Sequence, residues 1–182
     1  MTIEEYLAAE ETREDRHELL DGEMVPMKPS NAGHSLMVTN IAVAIRSAKQ
    51  GSGCVTFGPN LKVCIDETRL VAYPDVTVVC GPPMFQDRGR QIVSNPTVLV
   101  EVISPSSEDY DRGVKGTLYR FVPSLREFLL VEQIRTSVEH FRRLPDGTWQ
   151  IILHQDMASS VDLQSIGVEL PIASIYEDLG KY

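Results

Sequence analysis

The chain has 182 residues, of which 42% are hydrophobic, and this is enough for one substantial core but short for two. Its 26 acidic and 17 basic residues give a net charge of −9, which argues against a broad basic surface that coats nucleic acid but leaves room for a local cationic cleft. Apolar runs of only a few residues and an acidic N-terminus exclude a membrane span and a signal peptide, so we expect a cytoplasmic protein.

The N-terminal segment predicts a short helix and then a hairpin. Thr2 and Glu5 have the spacing of a capping box at the start of a run of helix-forming residues. Asp21-Gly22 lies between two short apolar stretches and is typical of a hairpin turn. The run HSLMVTNIAVAIRSAKQ follows, with apolar residues at helical spacing and Gly51 after it, and it predicts the main helix.

From Cys54 onward the pattern favours strands. CVTFGPNLKVCID and LVAYPDVTVVC are rich in β-branched residues, and TVLVEVIS has the nearly continuous apolar character of a strand buried on both faces. Val114, Leu118 and Phe121 predict a second helix that faces the sheet and stops at Pro123. Three more strand-like runs and a mostly extended tail complete the chain.

Strands separated by helices indicate an α/β (α+β) fold with a mixed central sheet flanked by helices. We expect one domain over residues 1–182, with its core at about 34–133. The N-terminal helix and hairpin occupy 2–27, and extra C-terminal hairpin strands occupy 134–182. The three cysteines, Cys54, Cys64 and Cys80, match neither a disulfide framework nor a metal knuckle, so we expect buried thiols.

Two carboxylates stand out because of the strands that carry them. Glu101 interrupts a buried apolar run, where an ionised carboxylate is costly unless it is paired or binds a cation. Asp75 follows Tyr73-Pro74 and precedes a second apolar run. If the two strands are neighbours, the carboxylates converge at one end of the sheet, as Mg²⁺ or Mn²⁺ prefers.

Lys115 lies on the helix that should cross back over the strand of Glu101. A lysine beside two carboxylates can orient or deprotonate a water, or neutralise charge on a phosphate. A structural alternative is that Asp75 caps a turn after Pro74 while Glu101 and Lys115 form a buried ion pair.

These residues stand within longer motifs that resemble a known family. YPDVTVV, the block PTVLVEVISPSSEDYDRGVKGTLYRFVPSLREFLLVE and the earlier HELLDGE are similar to the Uma-two-type restriction-endonuclease-like family. That family belongs to the PD-(D/E)xK nuclease superfamily, and the likeness covers most of the chain. It implies a restriction-endonuclease-like fold and a Mg²⁺- or Mn²⁺-dependent endonuclease that hydrolyses DNA phosphodiester bonds.

The resemblance also implies roles for particular residues. Asp75 and Glu101 correspond to the metal-binding carboxylates, and the carbonyl of Val102 to a further ligand. The superfamily pattern places lysine two residues after the acidic residue, where this chain has Ile103, so the lysine role passes to Lys115. Nucleases of this architecture often act as dimers so that two sites address two strands, which makes a homodimer a further expectation.

Other polar residues are candidates to complete the site. Glu18 and Glu23 bracket the predicted hairpin turn, and either could supply a third acidic group. Glu18 is the preferred candidate, and a solvated hairpin charge is the alternative. His34 could act as a ligand or proton shuttle, or it could be an exposed residue in the first helical turn. Tyr110 and Tyr119 are expected to shape the cleft, whereas the C-terminal histidines His140 and His154 are assigned to packing or surface.

A rival interpretation is a nuclease-fold module without turnover that binds nucleic acid or a protein. The net charge and the displaced lysine both favour it. A ring of arginines around the acidic pocket would support a phosphate substrate, and a wholly acidic rim would support the rival. The candidates for this ring are Arg88, Arg90, Arg112 and Arg120. A third possibility, hydrolysis of a smaller phosphoester, would require a closed pocket too narrow for a duplex.

Overall fold

The fold is that of a computed structural model, which describes residues 1–49, 51, 53–65, 70–87, 89, 91–104 and 110–181. Two longer helices, several short helical turns and three β-sheets make up these residues. The helical elements are α1 (Ile3–Glu10), α2 (Ala32–Ala48), a π-helical segment (Tyr110–Lys115) that continues into α3 (Gly116–Tyr119), α4 (Ile172–Ile175) and a 3₁₀ turn (Leu179–Lys181).

The strands form a five-stranded sheet in the order β2-β1-β5-β4-β7, a six-stranded sheet in the order β11-β10-β9-β8-β6-β3, and the hairpin β12-β13. In the six-stranded sheet, β8 and β9 are parallel and the other pairs are antiparallel. The strands are β1 (His17–Leu20), β2 (Glu23–Pro26), β3 (Cys54–Phe57), β4 (Lys62–Ile65), β5 (Leu70–Ala72), β6 (Val76–Cys80), β7 (Ile92–Val93), β8 (Val98–Ile103), β9 (Glu127–Glu132), β10 (Val138–Arg143), β11 (Trp149–His154), β12 (Ser160–Leu163) and β13 (Val168–Pro171). The predicted mixed sheet and C-terminal hairpin strands are confirmed.

The local signals at the N-terminus also produce the predicted elements. The Thr2 side chain accepts from the Glu5 N–H, and the Glu5 carboxylate accepts from the Thr2 N–H, so the capping box starts α1. Asp21 and Gly22 both have positive φ, at 49° and 82°, which closes the hairpin of β1 and β2 with the twist that two-residue turns require.

Alternation along β8 divides the core into two layers. Val98, Val100 and Val102 pack on the side that contains α2 and the β12-β13 hairpin. Leu99 and Ile103 pack on the other side, which contains β4, β5 and α3. Because side chains alternate along a strand, Glu101 belongs to this second face, at the junction of the two larger sheets.

The second predicted helix forms, but its buried face differs from the prediction. Phe121 is 54% exposed and Val114 is only partly buried, whereas Asp111, Lys115 and Tyr119 face inward. The reason is that the segment begins as a π-helix, whose longer turn shifts the inward-facing positions away from those of a regular α-helix.

The prediction of three buried thiols is wrong for two of the cysteines. Cys54 and Cys80 are direct partners in the antiparallel pair of β3 and β6, and a disulfide joins them. The pairing depends on the register of two strands, which spacing along the chain does not reveal. Cys64 is buried in β4, as expected. In the described part of the chain, no helix combines the length and hydropathy needed to cross a membrane.

Candidate functional site

Strand pairing brings the two predicted metal-binding carboxylates to one end of the six-stranded sheet. Asp75 directly precedes β6, and its neighbour Val76 pairs with Val100 in the adjacent antiparallel strand β8. The Asp75 carboxylate therefore contacts the backbone of Val102, the residue after Glu101. Its Oδ2 accepts a hydrogen bond from the Val102 N–H at 2.7 Å. The convergence expected from the two apolar runs is present in the structure.

The Lys115 ammonium contacts three carboxylates, one of which belongs to Glu101. Its Nζ is 2.9 Å from Glu18 Oε1, 3.3 Å from Glu101 Oε1 and 3.3 Å from Asp111 Oδ1. The lysine and these three acidic residues are all nearly inaccessible to solvent. We refer to the group formed by Glu18, Asp75, Glu101, Asp111 and Lys115 as the acidic centre.

Glu18 enters the acidic centre because the N-terminal hairpin pairs with β5. Leu19 in β1 pairs with Val71, and the Glu18 Oε1 accepts a hydrogen bond from the Tyr73 N–H at 3.0 Å. Tyr73 begins the short link that carries Asp75 into β6, so Glu18 and Asp75 are tied to the same turn of chain. Glu23, the other hairpin candidate, is exposed on β2 and lies outside the acidic centre.

Two tyrosines close the acidic centre on the side of the π-helical segment. The Tyr119 hydroxyl donates to Glu101 Oε1 at 2.5 Å, and Tyr119 is completely buried. The ring of Tyr110 lies beneath the Lys115 ammonium, 5.5 Å from Nζ to the ring centroid. Tyr119 thus contacts the predicted metal ligand Glu101 directly, in addition to the role in shaping the cleft that we expected from the sequence.

The electrostatics of the acidic centre are unbalanced. Burial raises the pKa of Glu101 well above its usual value, the positive charge of Lys115 opposes this, and Asp111, Asp75 and Glu18 raise the pKa further. For Lys115, burial acts to lower the pKa, but Glu101, Glu18, Tyr119 and Asp111 outweigh it and keep the pKa well above the usual value. The lysine is therefore held as a cation, and it is shared by more carboxylates than it can neutralise.

His34 lies at the rim of the acidic centre. Asn31 caps α2 by accepting from the His34 N–H at 2.9 Å, which fixes the first helical turn. The His34 Nε2 is 3.3 Å from Asp75 Oδ2. Burial acts to lower the pKa of His34, but the bond to Asp75 and a backbone bond with Val102 raise it overall. His34 is thus a partly buried partner of Asp75, and the expectation of an exposed residue is not met.

The donors of the acidic centre have the chemistry of a hard-cation site. In the part of the chain that the structure describes, no three His, Cys, Asp or Glu side chains are already spaced as a ready-made metal cluster. The carboxylate oxygens and the Val102 carbonyl are nevertheless ligands of the kind that Mg²⁺ and Mn²⁺ prefer. The surplus of buried negative charge around Glu101 is the feature that a divalent cation would relieve.

Two of the four arginines that could ring the acidic centre are described, and both are engaged by other residues. Arg112 bonds to Glu132 at 2.5 Å and also to Glu139, and the Arg120 guanidinium lies 5.1 Å from the ring centroid of Phe141. Arg88 and Arg90 lie outside the described residues.

Asp111 was missed by sequence reasoning, although a signal was present. It precedes Lys115 by four residues, the spacing at which opposite charges meet on one helical face. The predicted helix rests on the apolar residues Val114, Leu118 and Phe121, and this pattern gives no role to the aspartate.

The sequence matches a protein-family profile over most of its length. The profile of the family described as "Uma2: Putative restriction endonuclease" matches residues 3–173. The chain belongs to the Uma2 family. Uma2 membership agrees with the resemblance carried by the motifs around Asp75, Glu101 and Lys115.

Two curated relatives and a solved structure are similar to the chain over at least 90% of its length. The chain is 34% identical over 180 residues to the uncharacterized protein slr1290 of Synechocystis, covering 98% of this chain and 93% of that protein. It is 29% identical over 164 residues to the uncharacterized protein sll1609 of the same organism, covering 90% and 92%. Its fold matches a crystal structure from Anabaena variabilis, described as "a putative nuclease belonging to DUF820", with a TM-score of 0.80 at 16% identity over 98% and 99% of the two chains.

Proposed function

We propose that the protein is a Mg²⁺- or Mn²⁺-dependent DNA endonuclease whose acidic centre hydrolyses phosphodiester bonds. The observation that carries the proposal is the group of buried carboxylates around one ammonium: Glu18, Glu101 and Asp111 all lie within 3.3 Å of Lys115 Nζ. Burial and the neighbouring carboxylates raise the pKa of Glu101, so ionised Glu101 is stabilised only when a further cation is bound. Buried like charges are destabilising and persist where they serve a function, such as the binding of a cation. Membership of Uma2 and the nuclease-like fold support the same conclusion.

Asp75 and Glu101 are the residues that would hold the ion, with the Val102 carbonyl as a further ligand. Such an ion polarises a phosphate oxygen and lowers the pKa of a bound water. Lys115 is kept protonated by its neighbours, so it serves as a cation that stabilises charge on the phosphate and not as a base. Glu18 and Asp111 hold the ammonium in place from two further sides.

His34 is the residue best placed to carry a proton at the rim of the centre. Its contact with Asp75 raises its pKa, so it holds a proton more readily than an isolated histidine near neutral pH. A group of this kind can donate to a leaving oxygen or accept from a water.

The alternative is a nuclease-fold module that binds nucleic acid or a protein without turnover. Two observations favour it: the net charge of −9 and the presence of Ile103 where the superfamily has its lysine. In this case the bonds of Lys115 to Glu18, Glu101 and Asp111 are a structural network only. A substrate that is a smaller phosphoester is the remaining enzyme hypothesis.

Cleavage assays on plasmid and single-stranded DNA with Mg²⁺ or Mn²⁺ test the proposal. We expect Asp75→Asn and Glu101→Gln each to lower the cleavage rate by about a hundredfold or more, because each removes a charge needed for the cation. Glu169→Gln is the matched control, since Glu169 is exposed on β13, and it should cleave like the wild type. If the protein acts on DNA as a dimer, light scattering should give the molar mass of a dimer.

Equal cleavage by all variants would assign the activity to a contaminant or another site and reject the proposal. Calorimetry separates the inactive alternative, because a protein that binds Mg²⁺ through Asp75 and Glu101 without cleaving DNA is the non-catalytic module.

A further inference from the structure

A second polar site lies at the other end of β9, away from the acidic centre. A cavity of about 360 Å³ is lined there by Arg126, Glu127, Arg142, Arg143, Gln164 and Ser165. Three of the six lining residues are arginines, although the protein as a whole carries a net charge of −9. We refer to this cavity as the arginine pocket.

The single carboxylate of the arginine pocket is already saturated by its own partners. The Glu127 Oε1 accepts from Arg142 Nε at 3.0 Å and bonds to His140 Nε2 at 2.9 Å. Its Oε2 accepts from both the N–H and the hydroxyl of Ser165, at 2.9 and 2.5 Å. Glu127 is therefore matched to Arg142 and His140, and it leaves the other two arginines without a counter-charge.

Those two arginines retain unused donors. The Arg143 Nη2 donates to the carbonyls of Arg120 and Val122, both at 2.8 Å, and the guanidinium lies 4.8 Å from the ring centroid of Trp149. Among the residues that the structure describes, none accepts a hydrogen bond from its buried Nε. Arg126 is exposed, and within the described ranges no carboxylate pairs with its guanidinium. Burial and the neighbouring charge of Arg126 both lower the pKa of Arg143, so the two cations repel each other.

An oxyanion is the ligand that this arrangement suits. The Arg143 N–H donates to the Arg126 carbonyl at 2.8 Å, and both residues line the same cavity. Their guanidinium groups offer planar sets of N–H donors that match phosphate oxygens, and a bound anion would offset the repulsion between them. The volume of the cavity lies within the range of small-ligand pockets.

The strand register relates the arginine pocket to the acidic centre. Glu101 pairs with Leu130, whereas Glu127 pairs with Val98 and with Arg142 on the next strand. Four residues along the sheet and one strand across it place the Cα of Arg126 roughly 14 Å from that of Glu101. This separation equals the axial rise of about four base pairs in B-form DNA, at roughly 3.4 Å per base pair.

We propose that the arginine pocket is a phosphate-binding subsite that holds a non-reacting backbone phosphate of the nucleic acid. The inference rests on the proposed function for its ligand, because the same donors would also accept the phosphate of a small ester. It gives a protein with a net charge of −9, whose Arg112 and Arg120 contact Glu132, Glu139 and Phe141, a place to bind a polyanion at the far end of β9.

Arg126 is the residue to change, because it is exposed and its side chain bonds to no other element among the described residues. Arg126→Gln removes the charge, Arg126→Lys retains it, and Arg13→Gln removes an exposed arginine from the end of α1 as a matched control. Arg143 is left intact, since its bonds to the carbonyls after α3 make a folding defect the expected result of replacing it.

The first measurement uses inorganic phosphate as the probe. We expect phosphate to shift the ¹⁵N–¹H Nε signals of Arg126 and Arg143 in NMR spectra with saturation, and Arg126→Gln to weaken that effect at Arg143. The second measures the affinity of a labelled single-stranded oligonucleotide in EDTA, where metal-dependent cleavage cannot occur. Arg126→Gln should weaken binding by about three- to tenfold and reduce the slope of log K against log salt by about 0.7.

Identical oligonucleotide affinities and salt slopes for Arg126→Gln and Arg13→Gln would overturn the assignment to nucleic acid. If phosphate still shifted the arginine signals in that case, the pocket would be a site for a small phosphate ester. If phosphate shifted neither signal, no phosphate site would remain. If Arg126→Gln weakens oligonucleotide binding but the wild type cleaves no DNA, the nuclease proposal is rejected and the subsite stands. If the wild type cleaves DNA and Arg126→Gln binds and cleaves equally well, the subsite is rejected and the nuclease proposal stands.

Discussion

Glu101 and Glu127 lie on neighbouring strands, and both are almost completely buried, yet they have opposite electrostatic states. Glu101 has a raised pKa, because burial and the carboxylates around it outweigh the help of Lys115. Burial acts on Glu127 in the same direction, but bonds from His140, Ser165 and Arg142 lower its pKa to about 2. Burial alone therefore does not distinguish the two residues; their partners do.

The comparison separates a structural carboxylate from a candidate functional one. Glu127 is matched to donors from β10 and from the turn between β12 and β13, so its charge is satisfied within the fold. Glu101 shares its lysine with Glu18 and Asp111, so a single ammonium is divided among three buried carboxylates. Substitutions at Glu127 and at Glu101 should therefore have different effects on stability and on cation binding.

Loss of the Glu127 carboxylate should have the largest effect on stability. Glu127→Ala leaves the buried His140 and the Arg142 side chain without their shared partner, and we expect the free energy of unfolding to fall by roughly 3–5 kcal/mol. Urea denaturation measures the change. Glu169→Ala, at an exposed position in β13, should change stability by less than about 0.5 kcal/mol. A Glu127→Ala protein as stable as this control would contradict the structural role.

The pH dependence of stability should carry the signature of Glu127. Its folded-state pKa of about 2 lies below the ordinary value of 4.5, so it stabilises the fold above pH 4.5. This contribution, roughly 3 kcal/mol, is lost as the pH falls from about 4.5 toward 2. Denaturation series over this range should show a shallower loss for Glu127→Gln than for the wild type. Parallel curves for the two proteins would count against the lowered pKa.

Divalent cations should stabilise the fold through Glu101 and not through Glu127. At free Mg²⁺ or Mn²⁺ a hundredfold above Kd, the expected gain is about 2.7 kcal/mol in the free energy of unfolding. Thermal denaturation with and without the cation should show this gain for the wild type and for Glu127→Gln, but not for Glu101→Gln. A gain that survives Glu101→Gln would place the cation elsewhere.

The smallest effect is expected at Ser165, which donates twice to Glu127. Ser165→Ala removes the hydroxyl bond but keeps the backbone bond, and the free energy of unfolding should fall by about 1–2 kcal/mol. Ser159→Ala is a useful comparison, because the Ser159 hydroxyl bonds to a backbone carbonyl in an exposed turn and should matter less. Equal values for the two serines would mean that the charge of Glu127 adds nothing to the bond.

The sequence predicts Glu101 and misses Glu127 for a physical reason. A carboxylate inside a continuous apolar run contradicts its surroundings, so Glu101 is conspicuous. Glu127 stands at the start of its strand, where a charge is ordinary, and the partners that make it a buried anchor come from residues 13 and 38 positions away. The metal and catalytic roles of Asp75, Glu101, Val102, Lys115 and Glu18 stay predictions.

Other outcomes depend on geometry that a pattern of residue types does not encode. The convergence of Asp75 on Glu101 follows from two neighbouring strands, and the mixed sheet was predictable from alternating strand and helix patterns. The disulfide of Cys54 with Cys80 needs the exact register of β3 and β6. The inward face of the second helix depends on a π-helical turn, which the apolar spacing of Val114, Leu118 and Phe121 does not signal.

The link formed by Tyr73, Pro74 and Asp75 passes from β5 in one sheet to β6 in the other. Glu18 belongs to the first sheet, Glu101 to the second, and Asp75 to the passage between them. A folding intermediate in which only one sheet has formed therefore lacks part of the acidic centre. Assembly of the centre coincides with docking of the sheets, so a chain whose sheets have not yet docked would carry an incomplete acidic centre.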